Sequence, residues 1–156
     1  MRGVGASAVP ADPATFRADR LVGDVETLRD HLGLERMDLL AHSAGAVLAT
    51  LCAAACPARI SRLVLITPGL AAMEKMAEGD RSIDVFRASR PFYCGRWDAA
   101  AQAHATLGIS QRHQAARNGY FDGAVLDPPA TRAALRNLTA PVLLQAGGAQ
   151  LKANAC

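Results

Sequence analysis

The chain has 156 residues, 51% of them hydrophobic and 20% charged, with a formal net charge of +3. This composition can build a core, and its arginines are scattered, with no run of about five like charges to serve a nucleic-acid or membrane surface. Aromatic content is 4%, too thin for a base-stacking platform, and no apolar stretch of about 18 residues is available to span a bilayer.

Met1 to Pro10 carries a basic residue but no apolar core of about seven residues, so it does not read as a signal peptide and the expected compartment is the cytoplasm. From Phe16 to His31, Leu21, Val22, Val25, Leu28 and Leu32 recur at helical spacing, and Gly33 suits the position just past a helix end. Arg36 to Ala41 reads as a short strand. Gly45 to Ala55 reads as an Ala/Leu-rich helix closed by Pro57, and Arg62 to Thr67 as an uninterrupted apolar strand of the kind covered on both faces. Strand, helix and strand make a right-handed βαβ unit. Ala71 to Asn137 breaks into short helices holding Phe86, Phe92, Tyr93, Trp97, Tyr120 and Phe121, aromatics expected to pack together more than to line a pocket. Asp127-Pro-Pro opens the last of these helices as an N-cap with proline in the first turn. Val142 to Ala146 is the third expected strand.

The junction of the first strand and the second helix is where chemistry is expected. Ala41-His42-Ser43-Ala44-Gly45 fits Gly-x-Ser-x-Gly with alanine in place of the first glycine. In such a nucleophile elbow the strand enters a sharp turn, the serine sits at its apex and a helix starts behind it. Small residues are needed on both sides because strand and helix backbones approach closely. Ser43 is then the candidate nucleophile, and the amide of Ala44, at the helix N-terminus, faces a developing oxyanion. The plainer alternative makes Ser43 an ordinary helix N-cap.

Four histidines could in principle supply a base. His42 is expected to pack or bond beneath the turn, His31 to end the first helix, and His104 and His113 to lie solvated among the short helices. Cys52 and Cys56, one helical turn apart, are expected as buried thiols; with Cys94 and Cys156 they offer too few ligands at suitable spacing for zinc, and no metal or cofactor is expected.

Four segments carry a resemblance: Gly23 to Gly45, Cys56 to Pro68, Thr139 to Gly147, and Arg2-Gly-Val-Gly-Ala-Ser7. In this order they resemble the α/β-hydrolase fold family, and the last is similar to the Arg-Gly-x-Gly-x-Ser loop of proline-iminopeptidase-like serine hydrolases. The resemblance implies an α/β class: a partial hydrolase sheet of about three parallel strands with flanking helices, plus a helical cap. Residues 1–70 would be core with the elbow, 71–137 the cap, and 138–156 a return to the core. It implies hydrolysis of an ester, amide or N-terminal prolyl bond of a small molecule or short peptide through acyl-Ser43, without nucleic acid or membrane. Family members run to ~250–300 residues, and Gln150 stands about where their triad aspartate is expected. The first strands, the His-Gly oxyanion loop and the triad histidine have no counterpart. The expectation is therefore a chain truncated at both ends and impaired alone. The alternative is a non-catalytic fragment acting by association, and self-association is expected through the exposed edge of the strand Met37 to Ala41.

Overall fold

Three parallel strands, β1 (Met37–His42), β2 (Ile60–Ile66) and β3 (Val142–Gln145), form one sheet in the order β1-β2-β3. The structure, a computed structural model, describes residues 2–66, 97–111, 113–120 and 127–145. Each strand lies within two residues of its expected position. Asp38 to His42 pair with Arg62 to Ile66, and Leu63 to Ile66 pair with Val142 to Gln145. The register shifts between Met37 and Asp38, so that Ser61 has no opposite residue. Such a bulge turns the strand locally.

The helices are α1 (Ala18–His31), α2 (Ala44–Ala55), α3 (Ala99–Ser110), α4 (Gln114–Tyr120) and α5 (Pro128–Leu135). A 3₁₀ turn, Pro13–Phe16, precedes α1, with Asp12 accepting from the amide of Ala14 at 2.9 Å. α1 ends as expected at Gly33. With φ +66 there, the amide of Gly33 reaches Asp30 O and that of Leu34 reaches Arg29 O, the paired bonds of a Schellman cap. The buried Arg29 guanidinium completes this end by bonding Leu34 O, Glu26 and Asp30. The expected cap of α5 is present, with Asp127 accepting from Ala130 N at 2.9 Å.

α2 holds the molecule together because both its sides are covered. Ala46, Ala49 and Ala53 let it lie close to the sheet, against Met37, Ile60, Leu63 and Leu65, with Leu135, Leu138 and Ala140 closing that cluster. Leu48 and Cys52 on its other side meet Ala18, Leu21 and Tyr120. Burial of each large aliphatic here is worth about 2 kcal/mol, as an upper estimate. Thr50 is buried as well, and its hydroxyl is satisfied by donating to Ala46 O at 2.8 Å.

β2 was expected to be covered on both faces. Among the described residues the helices cover one. Leu40, on the face of β1 away from α2, is 72% exposed, and Leu143, which shares its register partner Val64, is 61% exposed; every residue of β3 is exposed. The stretch expected as a cap lies partly outside the described residues, as do Phe86, Phe92, Tyr93 and Phe121. Trp97 is partly exposed, whereas Tyr120 is buried core. Cys52 is buried as expected and Cys56 half-buried.

The Arg2–Ser7 loop needs its glycines. Gly3 has φ +65, and a Cβ there would lie 2.8 Å from Phe16 Cε1 and 2.9 Å from Ala116 Cβ. Gly23, inside α1, has open space around it. Gly3→Ala is therefore expected to destabilise by about 2 kcal/mol through backbone strain and overpacking. Gly23→Ala is expected to stabilise by about 1 kcal/mol. Urea midpoints moving the same way in both variants would contradict this.

Burial pushes the Cys52 thiol up to about 12 and the Tyr120 phenol up to about 12. Both pKa values are raised by folding, so the stability they carry is intact below their unfolded values of 9.0 and 10.0 and is lost as pH rises toward 12. Urea unfolding from about pH 8 to about pH 11 should show the midpoint falling, with a shallower fall in a Cys52→Ala/Tyr120→Phe double variant.

Candidate active site at the strand–helix turn

β1 runs out at His42 and α2 begins at Ala44, leaving one residue to reverse the chain. That residue, Ser43, has φ 52 and ψ −120, the only positive φ of a non-glycine among the described residues. Such a conformation costs on the order of 1–3 kcal/mol and persists only where the surroundings over-determine it. Here the Ser43 amide donates to Ile66 O at 2.9 Å, tying the apex to the end of β2, and Ser43 O accepts from Ala46 N at 3.0 Å, opening α2. Packing of α2 on the sheet then fixes the direction of exit.

This geometry decides against the N-cap alternative. An N-cap residue sits in the β region and its side chain accepts from the first turn. Ser43 does neither, and its side chain makes no capping bond. The residue is solvent-exposed at the apex. Behind it, the amides of Ala44 and Gly45 have no intrahelical acceptor and lie at the positive end of the α2 dipole. No acidic residue stands in the first turn of α2 to offset that end.

The elbow's small residues are placed as expected, with less crowding than expected. A Cβ built on Gly45 would lie 3.9 Å from Ala41 Cβ, an ordinary contact. This spacing is why alanine serves at position 41 where the pattern has glycine. His42 departs from expectation. β1 alternates, so Met37, Leu39 and Ala41 face α2, while Asp38, Leu40 and His42 are exposed on the open face of the sheet. His42 is thus not beneath the turn.

Tyr120 is the contact the sequence did not reveal. Its hydroxyl donates to Ala44 O at 2.8 Å across 76 positions of chain. It bolts α4 to the first residue of the elbow helix. Nothing in the local sequence marks it, since the pairing exists only once α4 lies over α2.

No hydrogen bond joins Ser43 to a histidine among the described residues. His31 is exposed at the end of α1 and His104 is exposed on α3. His113 sits with its ring centroid 6.0 Å from that of Phe16. Gln150 lies outside the described residues. A shallow cavity of about 450 Å³ is lined by Arg2, Ser7, Ala8, Pro10 and Asp24, with Arg2 Nε bonded to Asp24 at 2.7 Å; its lining includes no residue of the elbow. Among the described residues no group of three or more metal-ligating side chains is gathered, and no helix is long and apolar enough to cross a membrane.

Strain at Ser43 has a measurable consequence. Ser43→Gly should stabilise the fold by about 1 kcal/mol by relieving the positive φ, whereas Ser43→Ala should leave stability nearly unchanged. Equal denaturant midpoints for wild type and Ser43→Gly would show that the turn is not strained.

Comparison with known proteins agrees with this geometry. The alpha/beta hydrolase fold family matches residues 1–146. Epoxide hydrolase 4 of Mus musculus is 33% identical over 66 residues, covering 42% of this chain and 18% of the mouse protein. A hydrolase from Pseudomonas aeruginosa superposes with a TM-score of 0.68 at 28% identity, over 94% of this chain and 58% of that one. An epoxide hydrolase variant from Bacillus megaterium superposes with a TM-score of 0.64 at 15% identity, over 92% of this chain and 63% of that one, a likeness of fold alone. The chain therefore spans under two thirds of the length of these relatives.

Proposed function

We infer, from the premise that this chain belongs to the α/β-hydrolase fold family, that Ser43 is the nucleophile of a serine hydrolase site acting on an ester or amide. The observation that carries this is the strained apex itself: a serine at φ 52, exposed, with its side chain free of capping duty and two helix amides behind it that have no partner among the described residues. Attack by Ser43 Oγ on a carbonyl, its proton passing to a base, would form a tetrahedral intermediate, whose collapse breaks the bond to the alcohol or amine, released with that proton, and leaves acyl-Ser43 for water to hydrolyse. The negative charge on the carbonyl oxygen would fall to the Ala44 amide and the positive end of α2. The serine oxygen also separates this reading from one in which a carboxylate opens the substrate, although epoxide hydrolases are among the relatives in fold. The finer likeness to proline-iminopeptidase-like enzymes rests on Arg2 to Ser7, whose Gly3 and Gly5 both hold left-handed φ. It adds N-terminal prolyl bonds to the substrate class.

A second reading, that this chain by itself is a non-catalytic fragment, is favoured by one observation: no histidine among the described residues hydrogen-bonds to Ser43. Without a base at the serine, turnover falls by a factor on the order of 10⁶. We therefore expect p-nitrophenyl ester and prolyl anilide turnover by the purified chain near the buffer rate. His31→Ala, His104→Ala and His113→Ala should leave it unchanged. With imidazole supplied as an external base, an organophosphonate should form its adduct at Ser43, mapped by mass spectrometry. Adducts spread evenly over Ser7, Ser43 and Ser110 would overturn the assignment of the nucleophile. Strong turnover abolished by Ser43→Ala would instead show that the chain carries its own base.

A further inference from the structure

The Tyr120 hydroxyl sits on the first rung of the elbow helix. Its ring is buried with Ala18, Leu21, Leu48 and Cys52, and that packing fixes where the hydroxyl lies. The hydroxyl donates to Ala44 O at 2.8 Å and accepts from the Leu48 amide. In an α-helix Ala44 O and the Leu48 amide are partners of one another, so the phenol bridges the first i to i+4 pair of α2.

That pair governs the direction of an elbow amide. A trans peptide is planar, so its C=O and N–H point in opposite directions. Fixing Ala44 O therefore fixes the Gly45 amide. Ser43 O, which accepts from Ala46 N at 3.0 Å, fixes the Ala44 amide in the same way. The two amides behind Ser43 are thus aimed by two bonds, one internal to α2 and one arriving from α4.

Two close approaches seat α4. A Cβ on Gly119, the residue before Tyr120, would lie 3.0 Å from Phe16 Cβ and 3.2 Å from Pro13 O. A Cβ on Gly3 would lie 2.8 Å from Phe16 Cε1. Phe16 is buried, gripped between the two glycines. The end of α4 reaches the elbow because position 119 carries no side chain to hold it off.

We propose that Tyr120 is a positioning residue for the elbow: its hydroxyl, seated by Gly119 against Phe16, aims the Ala44–Gly45 peptide so that charge developing beside Ser43 meets the N-terminal amides of α2. This role rests on the reading of Ser43 as the nucleophile.

The test uses the full chain, a p-nitrophenyl alkylphosphonate as the probe and imidazole as the external base. Ser43 Oγ bonds to phosphorus, imidazole takes its proton and p-nitrophenolate leaves, so colour reports the rate and peptide mass the position. Tyr120→Phe should lower the saturating rate at Ser43 by about tenfold or more, with the half-saturating probe concentration little changed. Gly119→Ala should act likewise. The double variant should be no slower than Tyr120→Phe alone, because both changes act through one hydroxyl. Ile60→Val weakens the core at the end of β2 away from the elbow and should label at the wild-type rate. Circular dichroism and urea midpoints would confirm that each variant is folded; Tyr120→Phe and Ile60→Val decide the matter even if Gly119→Ala does not fold. Selective labelling of Ser43 at an unchanged rate in Tyr120→Phe would overturn the positioning role and leave the nucleophile standing. So would an equal slowing by Ile60→Val, or losses that add in the double variant. Even labelling of Ser7, Ser43 and Ser110 in the wild type would overturn the nucleophile, and this role with it.

Discussion

The reversal at Ser43 is the constraint on which the rest of this structure depends. One residue must take the chain from the end of β1 into α2, and no ordinary backbone conformation does this in so little length. The left-handed φ of Ser43 is held from both sides, by the amide bond to Ile66 O and by the docking of α2 on the sheet. Strain at the apex is therefore supported by burial elsewhere, which places a polar side chain at an exposed point with no capping bond of its own to keep it there.

α2 can supply that support because it is built almost wholly of small and apolar residues. Its alanine face approaches β1 and β2, and its Leu48–Cys52 face receives α1 and α4. The same helix then presents its N-terminal amides to solvent behind the serine. Burial changes along the axis: Ala44 and Gly45 are exposed, and Ala46 to Thr50 are buried. Tyr120 joins the two by ending α4 in the second core cluster while its hydroxyl holds Ala44 O. The N-terminal loop clasps the other side of α4, since Gly3 leaves room for Phe16 and Ala116 where any side chain would collide.

One face of the sheet has no such cover among the described residues. An all-parallel sheet normally has helices on both faces. Here α1, α2 and α5 contribute to clusters on one side, while Leu40 and Leu143 remain exposed on the other. Asp38, Leu40 and His42 of β1 stand on this open face. The same alternation that turns Leu39 and Ala41 toward α2 therefore sets the chemistry of that face.

Much of this was legible in the residues alone. The βαβ order, the three strands, the Gly33 helix end, the Asp127 cap and the position of Ser43 in a strand–helix turn all follow from periodicity, capping residues and the small-residue pattern Ala41 to Gly45, which are local signals. Three features lay beyond local reading. Whether Ser43 capped the helix or occupied a strained apex depended on its φ, which is set by a bond to Ile66 and by the docking of α2. The direction of His42 depended on which face of β1 the helices chose, because alternation fixes only that neighbours oppose each other. The bond from Tyr120 to Ala44, and the bare face of the sheet, depended on how distant elements pack. The sequence by itself determined the elements and the residue at the turn, because propensity and periodicity act over a few residues. Only the tertiary structure decided the strain at that residue, its neighbours and the face left open, because those arise from contacts between segments far apart in the chain.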